Sequence, residues 1–300
     1  MTRPMVTIQS VLYHSDTERV ERALESLDNA ARWARFDDRV AGVRVRYGDC
    51  SPAATVDPAL LERWRRATPN LASLDYVSFG ENLGHGGAQN RLAAEDDSEL
   101  RIMANPDVII TGDTLSQLVE RMDDTTIGAV EAKQLPLEHP KDYDVRSGIT
   151  SWVAGAFCMV RSALFDELGG YDHESFFMYC DDVDLSWRIR ERGFGVAIVP
   201  AALAFHDKRI GSTSGVLEPT SAERYYSVES ALLLADKWSR PDISEDILRF
   251  FDANPEPEAT RACAEYRRRR DDGLLADRHD PDHTTAEFTG GNYAEHRYGL

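Results

Sequence analysis

The stretch "LDYVSFGENLGHGGAQNRLAAEDDSELRIMANPDVII", Leu74–Ile110, carries the reading that decides the fold. "LDYVSFG" alternates apolar and polar residues, as a half-buried strand does. "ELRIMANPDVII" is a second strand running into the polar tripeptide Asn105-Pro106-Asp107. Between them "NLGHGGAQN", Asn82–Asn90, reads as a glycine-rich turn, followed by a helix through about Leu92–Ala94. The same strand-helix alternation extends in both directions. "VTIQSVLY" (Val6–Tyr13) is a strand; Ser15 and Glu18 then have capping-box spacing, and Val20, Ala23, Leu24 and Leu27 recur at helical spacing. "AGVRVRYGDCSP" is a strand ending in a polar turn, and "LLERWRRA" is a helix. "DTLSQLVERM" is another, with Asp113 as its cap and Leu115, Leu118, Val119 and Met122 on one face. Such alternation implies a mostly parallel sheet covered by helices, and in open α/β sheets ligands bind beyond the carboxyl ends of the strands. The turns "YHSD", "YGDCSP", "GENLGHGG" and "NPD" are therefore expected to gather at one edge.

The second half has a different texture. "TSWVAGAFCMVRSALFDELGGYD" reads as strand, helix and a Gly-Gly stop, and "ESFFMYCDDVDLSWRIRERGFG" as an aromatic stretch, an acidic cluster and a helix ended by Gly193. "VAIVPAALAFHDKRIGSTSG" is a strand leading to His206 and a Gly/Ser-rich loop. "SAERYYSVESALLLADKW" is a helix that could pack on the core or on a second subunit, as in a homodimer. Beyond Pro241 the helical pattern weakens, and from about Asp271 the chain reads as a loose polar tail.

Composition bounds the function. The chain has 300 residues, 42% of them hydrophobic, which suits one large domain or a domain plus an appendage. Its formal net charge of −18 argues against nucleic acid and against anionic membrane surfaces, both of which need clustered cations. No apolar run approaches the ~20 residues that span a bilayer, and no signal-peptide pattern opens the chain. The expectation is a cytoplasmic protein without an integral membrane segment. The four cysteines, Cys50, Cys158, Cys180 and Cys263, form no CxxC pair and are expected to be free and buried.

Four groups could carry chemistry. Asp107 ends a strand and can reach a metal or ligand, although Asn-Pro-Asp is also good turn chemistry. Asp181, Asp182 and Asp184 crowd three carboxylates at a helix start, where the dipole offsets part of their repulsion. They are either an over-provided cap or, flanked by Phe176, Phe177, Tyr179 and Trp187, the surroundings a general base requires. His206, with Lys208 and Arg209, fits a metal-diphosphate site or a structural histidine. Gly84, Gly86 and Gly87 permit close backbone approach to a ligand, or build a tight turn; they match neither GxGxxG nor a P-loop.

Taken in order, these motifs resemble glycosyltransferase family 2, inverting nucleotide-sugar enzymes of GT-A fold, over roughly Val6 to Trp238, and within it bacterial rhamnosyltransferase-like members. "VLYHSD" resembles the first-strand motif that opens the nucleotide site, and "GDCSP" the second-strand turn that contacts the base. "NLGHGGAQN" is similar to the family's NxGxxxxxN element, "NPDV" to a variant of its metal-binding DxD motif, and "YCDDVDLSW" to the block around its ED motif. The resemblance implies an α/β GT-A fold of Rossmann-like design, with a mostly parallel central sheet flanked by helices and a helical C-terminal extension. It implies a GT-A domain over 1–240, divided into a nucleotide-sugar half (1–112) and an acceptor half (113–215), and an extension with tail over 241–300. Asp107 and His206 would hold a divalent metal, Mn²⁺ or Mg²⁺. Asp182 would be the general base, with Asp181 orienting it or the acceptor. Tyr13, Asp49, Asn82, Gly84, Asn90, Asn105, Lys208 and Arg209 would bind the nucleotide sugar, Asp49 facing the base, and Trp152 and Gly155 would sit near the acceptor. The donor would be a dTDP- or UDP-sugar, dTDP-rhamnose among them. The acceptor would be a glycan, a lipid-linked saccharide or a small molecule, and the setting polysaccharide biosynthesis. This chain departs from the pattern at Asn105, where an acid is usual, at Asp181, which replaces a Glu, and in "GDCSP", whose acid is displaced by one position. His85 has no role in the resemblance. A nucleotide-binding module with a degraded site is the non-enzymatic alternative. A sugar nucleotidyltransferase would need a phosphate loop that "VTIQSVLYHSD" lacks.

Overall fold

Alternation places the first strand. β1 (Met5–Leu12) turns Val6, Ile8 and Leu12 into one core, while Thr7 and Gln9 are buried on its other face. The structure is a computed structural model that describes residues 3–136, 141–206 and 219–293. α1 (Thr17–Phe36) buries Val20, Ala23, Leu24 and Leu27 as its spacing predicts. Its cap is Asp16, which accepts from the Glu18 N–H, and not Ser15, whose hydroxyl accepts from the Tyr13 N–H. β2 (Gly42–Asp49), α2 (Pro58–Ala67) and β3 (Ser73–Ser78) follow, then α3 (Gly84–Ala93) and β4 (Leu100–Ala104). The glycines expected in a turn are thus the first turn of α3 itself. β5 (Ile109–Ile110) and α4 (Thr114–Met122) complete this half. Asp113 precedes α4 but makes no capping hydrogen bond; its carboxylate accepts from the Thr111 hydroxyl instead.

The second half adds β6 (Ile127–Leu135), β7 (Ile149–Thr150), β8 (Phe157–Arg161), α5 (Ser162–Glu167), α6 (Asp181–Glu191) and β9 (Gly195–Phe205). Three C-terminal helices follow: α7 (Ser221–Lys237), α8 (Pro241–Ala253) and α9 (Pro257–Asp271). Among the described residues the strands form one sheet in the order β3-β2-β1-β4-β8-β6-β9-β5, with β7 on β9. β3, β2, β1 and β4 pair in parallel, as do β6 and β9, so parallel pairing makes up most of the ladder; β8 enters antiparallel between β4 and β6. The carboxyl ends of β1, β2, β3 and β4 therefore share one edge. The Cys50 N–H donates to the Leu12 carbonyl, the His14 N–H to the Ser51 hydroxyl and the Phe79 N–H to the Asp49 carbonyl, tying the turns together.

A second core lies beneath the C-terminal helices. Trp152, Phe176, Val183 and Trp187 pack there with Leu232 and Trp238 of the α7 segment and with Ala262, Cys263 and Tyr266 of α9. The apolar side of α7 is thereby covered by its own chain. The tail expected to be loose is packed through Tyr293: Phe288 meets Trp187 with ring centroids 5.0 Å apart, and Tyr293 meets Trp152 at 5.4 Å. The four cysteines are free and buried. No helix among the described residues is long and apolar enough to cross a membrane.

Asp184, the third carboxylate of the acidic cluster, belongs to this core. It is completely buried, and its oxygens take Arg188 Nε at 2.8 Å, Lys237 Nζ at 2.7 Å and the Trp238 indole N–H at 3.1 Å. Removing one member of a buried ion cluster leaves uncompensated charge behind. Asp184→Ala is therefore expected to cost about 3–5 kcal/mol in urea unfolding. A loss below about 1 kcal/mol would mean that Asp172, at 2.7 Å, suffices for Lys237 and the Leu168 and Gly170 carbonyls suffice for Arg188.

Candidate active site

The chain reaches α6 through two left-handed residues, Tyr179 (φ 68°) and Cys180 (φ 60°). Neither is glycine, so the conformation costs energy and must be held from outside. From outside, the Ser230 hydroxyl of α7 donates to the Met178 carbonyl at 2.7 Å; the first hydrogen bond of α6 itself, from the Asp184 N–H to the Cys180 carbonyl at 2.9 Å, then closes the turn. This turn delivers Asp181 and Asp182 as the first two residues of α6. Asp181 is 3% exposed, and its Oδ2 lies 2.5 Å from His85 Nδ1 on the first turn of α3. Asp182 is half-buried; its Oδ2 accepts from the Gly155 N–H at 2.8 Å and its Oδ1 from the Val183 N–H at 2.9 Å. Burial, and then the neighbouring Asp181 charge, push the Asp182 carboxyl up to about 6, against the Gly155 N–H and the His85 and Lys141 charges. For His85, burial opposes the charged form, but the Asp181 carboxylate, by charge and hydrogen bond, and then Asp182 raise it above its ordinary value.

The loop carrying Gly155 is held by a buried ion pair. Lys141 Nζ is 2.7 Å from Glu131 Oε2, 3.0 Å from the Trp152 carbonyl and 3.8 Å from the centre of the Trp152 ring, while Glu131 also accepts from the Ala154 N–H. Trp152 itself is 1% exposed, so it supports the loop from within the second core. From Gly155 the contacts continue into the strand-end turn: the Ala156 carbonyl accepts from the Asn105 N–H at 2.9 Å. The Asn105 amide nitrogen stands 3.3 Å from His206 Nε2, and the same nitrogen of His206 stands 3.6 Å from Asp107 Oδ1. Arg19, in the first turn of α1, reaches within 3.9 Å of the other Asp107 oxygen. The turns after β4 and β9 thus bring Asn105, Asp107 and His206 together and add Arg19, which had no motif to mark it. Lys208 and Arg209 lie outside the described residues. Among the described residues no group of three or more His, Cys, Asp or Glu is placed to share a metal ion.

The expected nucleotide-sugar residues divide by what their polar atoms do. Tyr13 is half exposed at the end of β1. Asp49 is wholly buried and builds the following turn: it accepts from the Ser51 N–H (2.9 Å), the Thr55 N–H (2.8 Å), the Thr55 hydroxyl (2.7 Å) and the Tyr76 hydroxyl (2.6 Å). Burial opposes its charge, but the Tyr76, Ser51 and Thr55 hydrogen bonds outweigh it and hold the carboxyl below its ordinary range. Asn82 is exposed and its side chain accepts from the Gly84 N–H at 3.2 Å. Asn90 grips Tyr171 in both directions, donating to its carbonyl at 2.8 Å and accepting from its N–H at 2.9 Å. The glycines serve the same docking. Gly84 has φ +70°, and a Cβ there would lie 2.4 Å from the Phe177 carbonyl oxygen; one on Gly86 would lie 2.8 Å from the Tyr171 Cβ. The close approach expected toward a ligand is made, in this structure, toward the 171–177 loop. That loop leads into Asp181, so the glycines set the distance between His85 and the acidic pair.

A cavity of about 850 Å³ lies between α7 and α9, lined by Tyr225, Tyr226, Arg261 and Glu265; none of the residues above borders it, and the chemistry, not the volume, locates the site.

No family model matches the chain. It is 24% identical over 233 residues to the rhamnosyltransferase WbbL of Escherichia coli K12, covering 65% of this chain and 81% of that protein. It is 34% identical over 88 residues to the N-acetylglucosaminyl-diphospho-decaprenol L-rhamnosyltransferase of Mycobacterium tuberculosis, covering 29% of this chain and 27% of that one. Among solved structures it shares its fold with the mannosyltransferase PcManGT of Pyrobaculum calidifontis in complex with GDP-Man and Mn²⁺. The TM-score is 0.57 at 19% identity, over 89% of this chain and 81% of that chain.

Proposed function

We propose that this chain, a glycosyltransferase of GT-A fold similar to bacterial rhamnosyltransferases, transfers a sugar from a nucleoside-diphosphate donor to an acceptor hydroxyl with inversion. The observation that carries the reading is one continuous run of contacts. It leads from Asp182 through Gly155, Ala156 and Asn105 to His206 and Asp107. A carboxylate with raised proton affinity thereby stands at one end and an acid-imidazole pair at the other.

The pair fits a divalent ion. Two ligands with bonds of about 2.1 Å to one ion can stand 3.6 Å apart, and carboxylate with imidazole suits Mn²⁺. Such an ion, when bound, offsets charge that builds on the leaving diphosphate. The remaining steps belong to the chain. Arg19 adds a cation beside Asp107 for the diphosphate. The turn built on Asp49 and Tyr76 shapes the base pocket, with a dTDP- or UDP-sugar as donor and rhamnose as the sugar the relatives' names favour. Gly155 fixes Asp182 by one oxygen. The acceptor oxygen forms its bond to the anomeric carbon as the bond from that carbon to the diphosphate oxygen breaks. The electron pair leaves with the nucleoside diphosphate, and the acceptor proton passes to the Asp182 carboxylate. One displacement inverts the anomeric centre. Residues 1–112 supply the donor side and 113–215 the acceptor side of a domain over 1–240. The acceptor is a saccharide, and a diphospho-lipid saccharide is the form a relative's name favours.

That only two candidate protein ligands stand near each other among the described residues favours one alternative, a nucleotide-binding module without turnover. Thermal unfolding with UDP, dTDP, GDP, CDP and ADP, each with and without Mn²⁺, separates the readings. Ligand at 100 times its Kd adds about 2.7 kcal/mol of stability. We expect one base to raise Tm by several degrees, more with Mn²⁺, and the matching sugar nucleotide to be turned over. A shift without turnover of any donor-acceptor pair would favour the binding module, and no shift with any nucleotide would remove the nucleotide pocket.

A further inference from the structure

His85 has no role in the reaction as written, yet it is the residue that meets the acidic pair from across the site. We propose that His85 is a positioning residue for the transfer: its imidazole anchors Asp181 so that Asp182, and not Asp181, is the carboxylate that takes the acceptor proton. This inference rests on the transferase reading above.

Geometry argues for it in three ways. First, His85 Nδ1 is 2.5 Å from Asp181 Oδ2, a short, charge-assisted contact at a 3% exposed carboxylate. Second, the residue is held at its backbone and beside its ring. The His85 backbone N–H donates to the Phe177 carbonyl at 3.0 Å, and the Tyr171 ring meets the imidazole at 5.3 Å, tilted by 62°. Third, His85 and Asp182 converge on Gly155. A Cβ built on Gly155 would lie 3.5 Å from His85 Cε1, 3.5 Å from Asp182 Cβ and 3.6 Å from Asp182 Oδ2. Two adjacent carboxylates disfavour each other's ionisation and would otherwise compete for one proton. A cation committed to Asp181 resolves that competition and leaves Asp182 as the member that exchanges a proton. The other titratable groups acting on this cluster are Tyr171, Cys158, Glu131 and Lys141; Lys141 is already committed to Glu131.

Two variants and one spectroscopic titration test the role. His85→Phe removes both the donor and the charge; His85→Asn retains an N–H donor without the charge. For His85→Phe we expect kcat to fall about tenfold to a hundredfold, with donor KM changed less than about threefold. The acid limb of kcat should move to higher pH, because loss of a nearby cation makes Asp182 harder to ionise. His85→Asn should recover part of kcat and keep the displaced limb. A kcat loss with an unmoved limb in both variants would reduce His85 to a packing residue and overturn the inference while the transferase reading stands. NMR titration of the His85 ring, which needs no substrate, should show its midpoint fall in Asp181→Asn. An unchanged midpoint would overturn the anchoring pair. If the wild-type chain transfers no sugar while that midpoint still falls, the transferase reading fails, and the catalytic role of His85 with it, although the pair itself is real.

Discussion

Asp182→Asn is expected to lower kcat about 10³-fold while donor Kd stays within about twofold. The size follows from what the residue loses. An amide cannot accept the acceptor proton, so the displacement must proceed from an intact hydroxyl. The proposed donor site lies at the other end of the contact run, around Asp107 and His206, and should not register the change. The fold should tolerate it. Asp182 accepts two N–H groups, from Gly155 and Val183, on different oxygens, and an Asn can accept only one of them. That costs about 1 kcal/mol, visible in a melt but far from unfolding the chain. The pH profile carries the same signature. A general base at Asp182 would work as the carboxylate, and the Asp182 carboxyl is pushed up to about 6. Activity should therefore hold above pH 7 and fall about tenfold per unit as pH drops well below 6. Near-normal turnover in Asp182→Asn would remove the residue from the role. Residual activity that kept the wild-type limb would assign that limb to another group.

The strands and helices around that site were legible because their signal is local. Alternation in Met5–Leu12 and the apolar spacing of Val20, Ala23, Leu24 and Leu27 depend on neighbours a few residues away. Where the physics is long-range the sequence was silent or misleading. The first turn of α3 reads as a glycine-rich loop because glycine disfavours helices, yet the backbone and side chain of Phe177 and the side chain of Tyr171, some ninety residues on, leave no room for a Cβ. His85 and Asp181 are 96 residues apart, and nothing in either local pattern pairs them. Three clustered carboxylates look alike in sequence; their partners separate them into an Asp181 anchored to His85, a proton-accepting candidate in Asp182 and a structural Asp184 locked to Arg188 and Lys237. The helix α9 gave a weak signal for a different reason. Its buried face is Ala259, Ala262, Cys263 and Tyr266, correctly spaced but mostly small, while its other faces carry Arg267 to Arg270.

Asp107→Ala should disable the opposite end of the site, and in a way that Asp182→Asn cannot imitate. Transfer should fall by about 10³-fold or more, the scale set by losing stabilisation of charge on a leaving group. Nucleotide binding should change in opposite directions with and without Mn²⁺. With Mn²⁺, the variant would lack one of the two proposed protein ligands, and the metal-dependent rise in Tm should disappear. Without Mn²⁺, the wild-type carboxylate would repel a diphosphate bound at the proposed site, partly offset by Arg19 at 3.9 Å. Removing that carboxylate leaves Arg19 unopposed, so the metal-free variant should bind the nucleoside diphosphate a few-fold more tightly than wild type. A merely structural Asp107 would weaken binding in both conditions, and a site that takes no metal would give the same gain in both. Only a carboxylate that serves the diphosphate through a bound cation makes the two affinities cross. His206→Gln should follow the first half of this pattern without the second, because it removes a ligand but no negative charge.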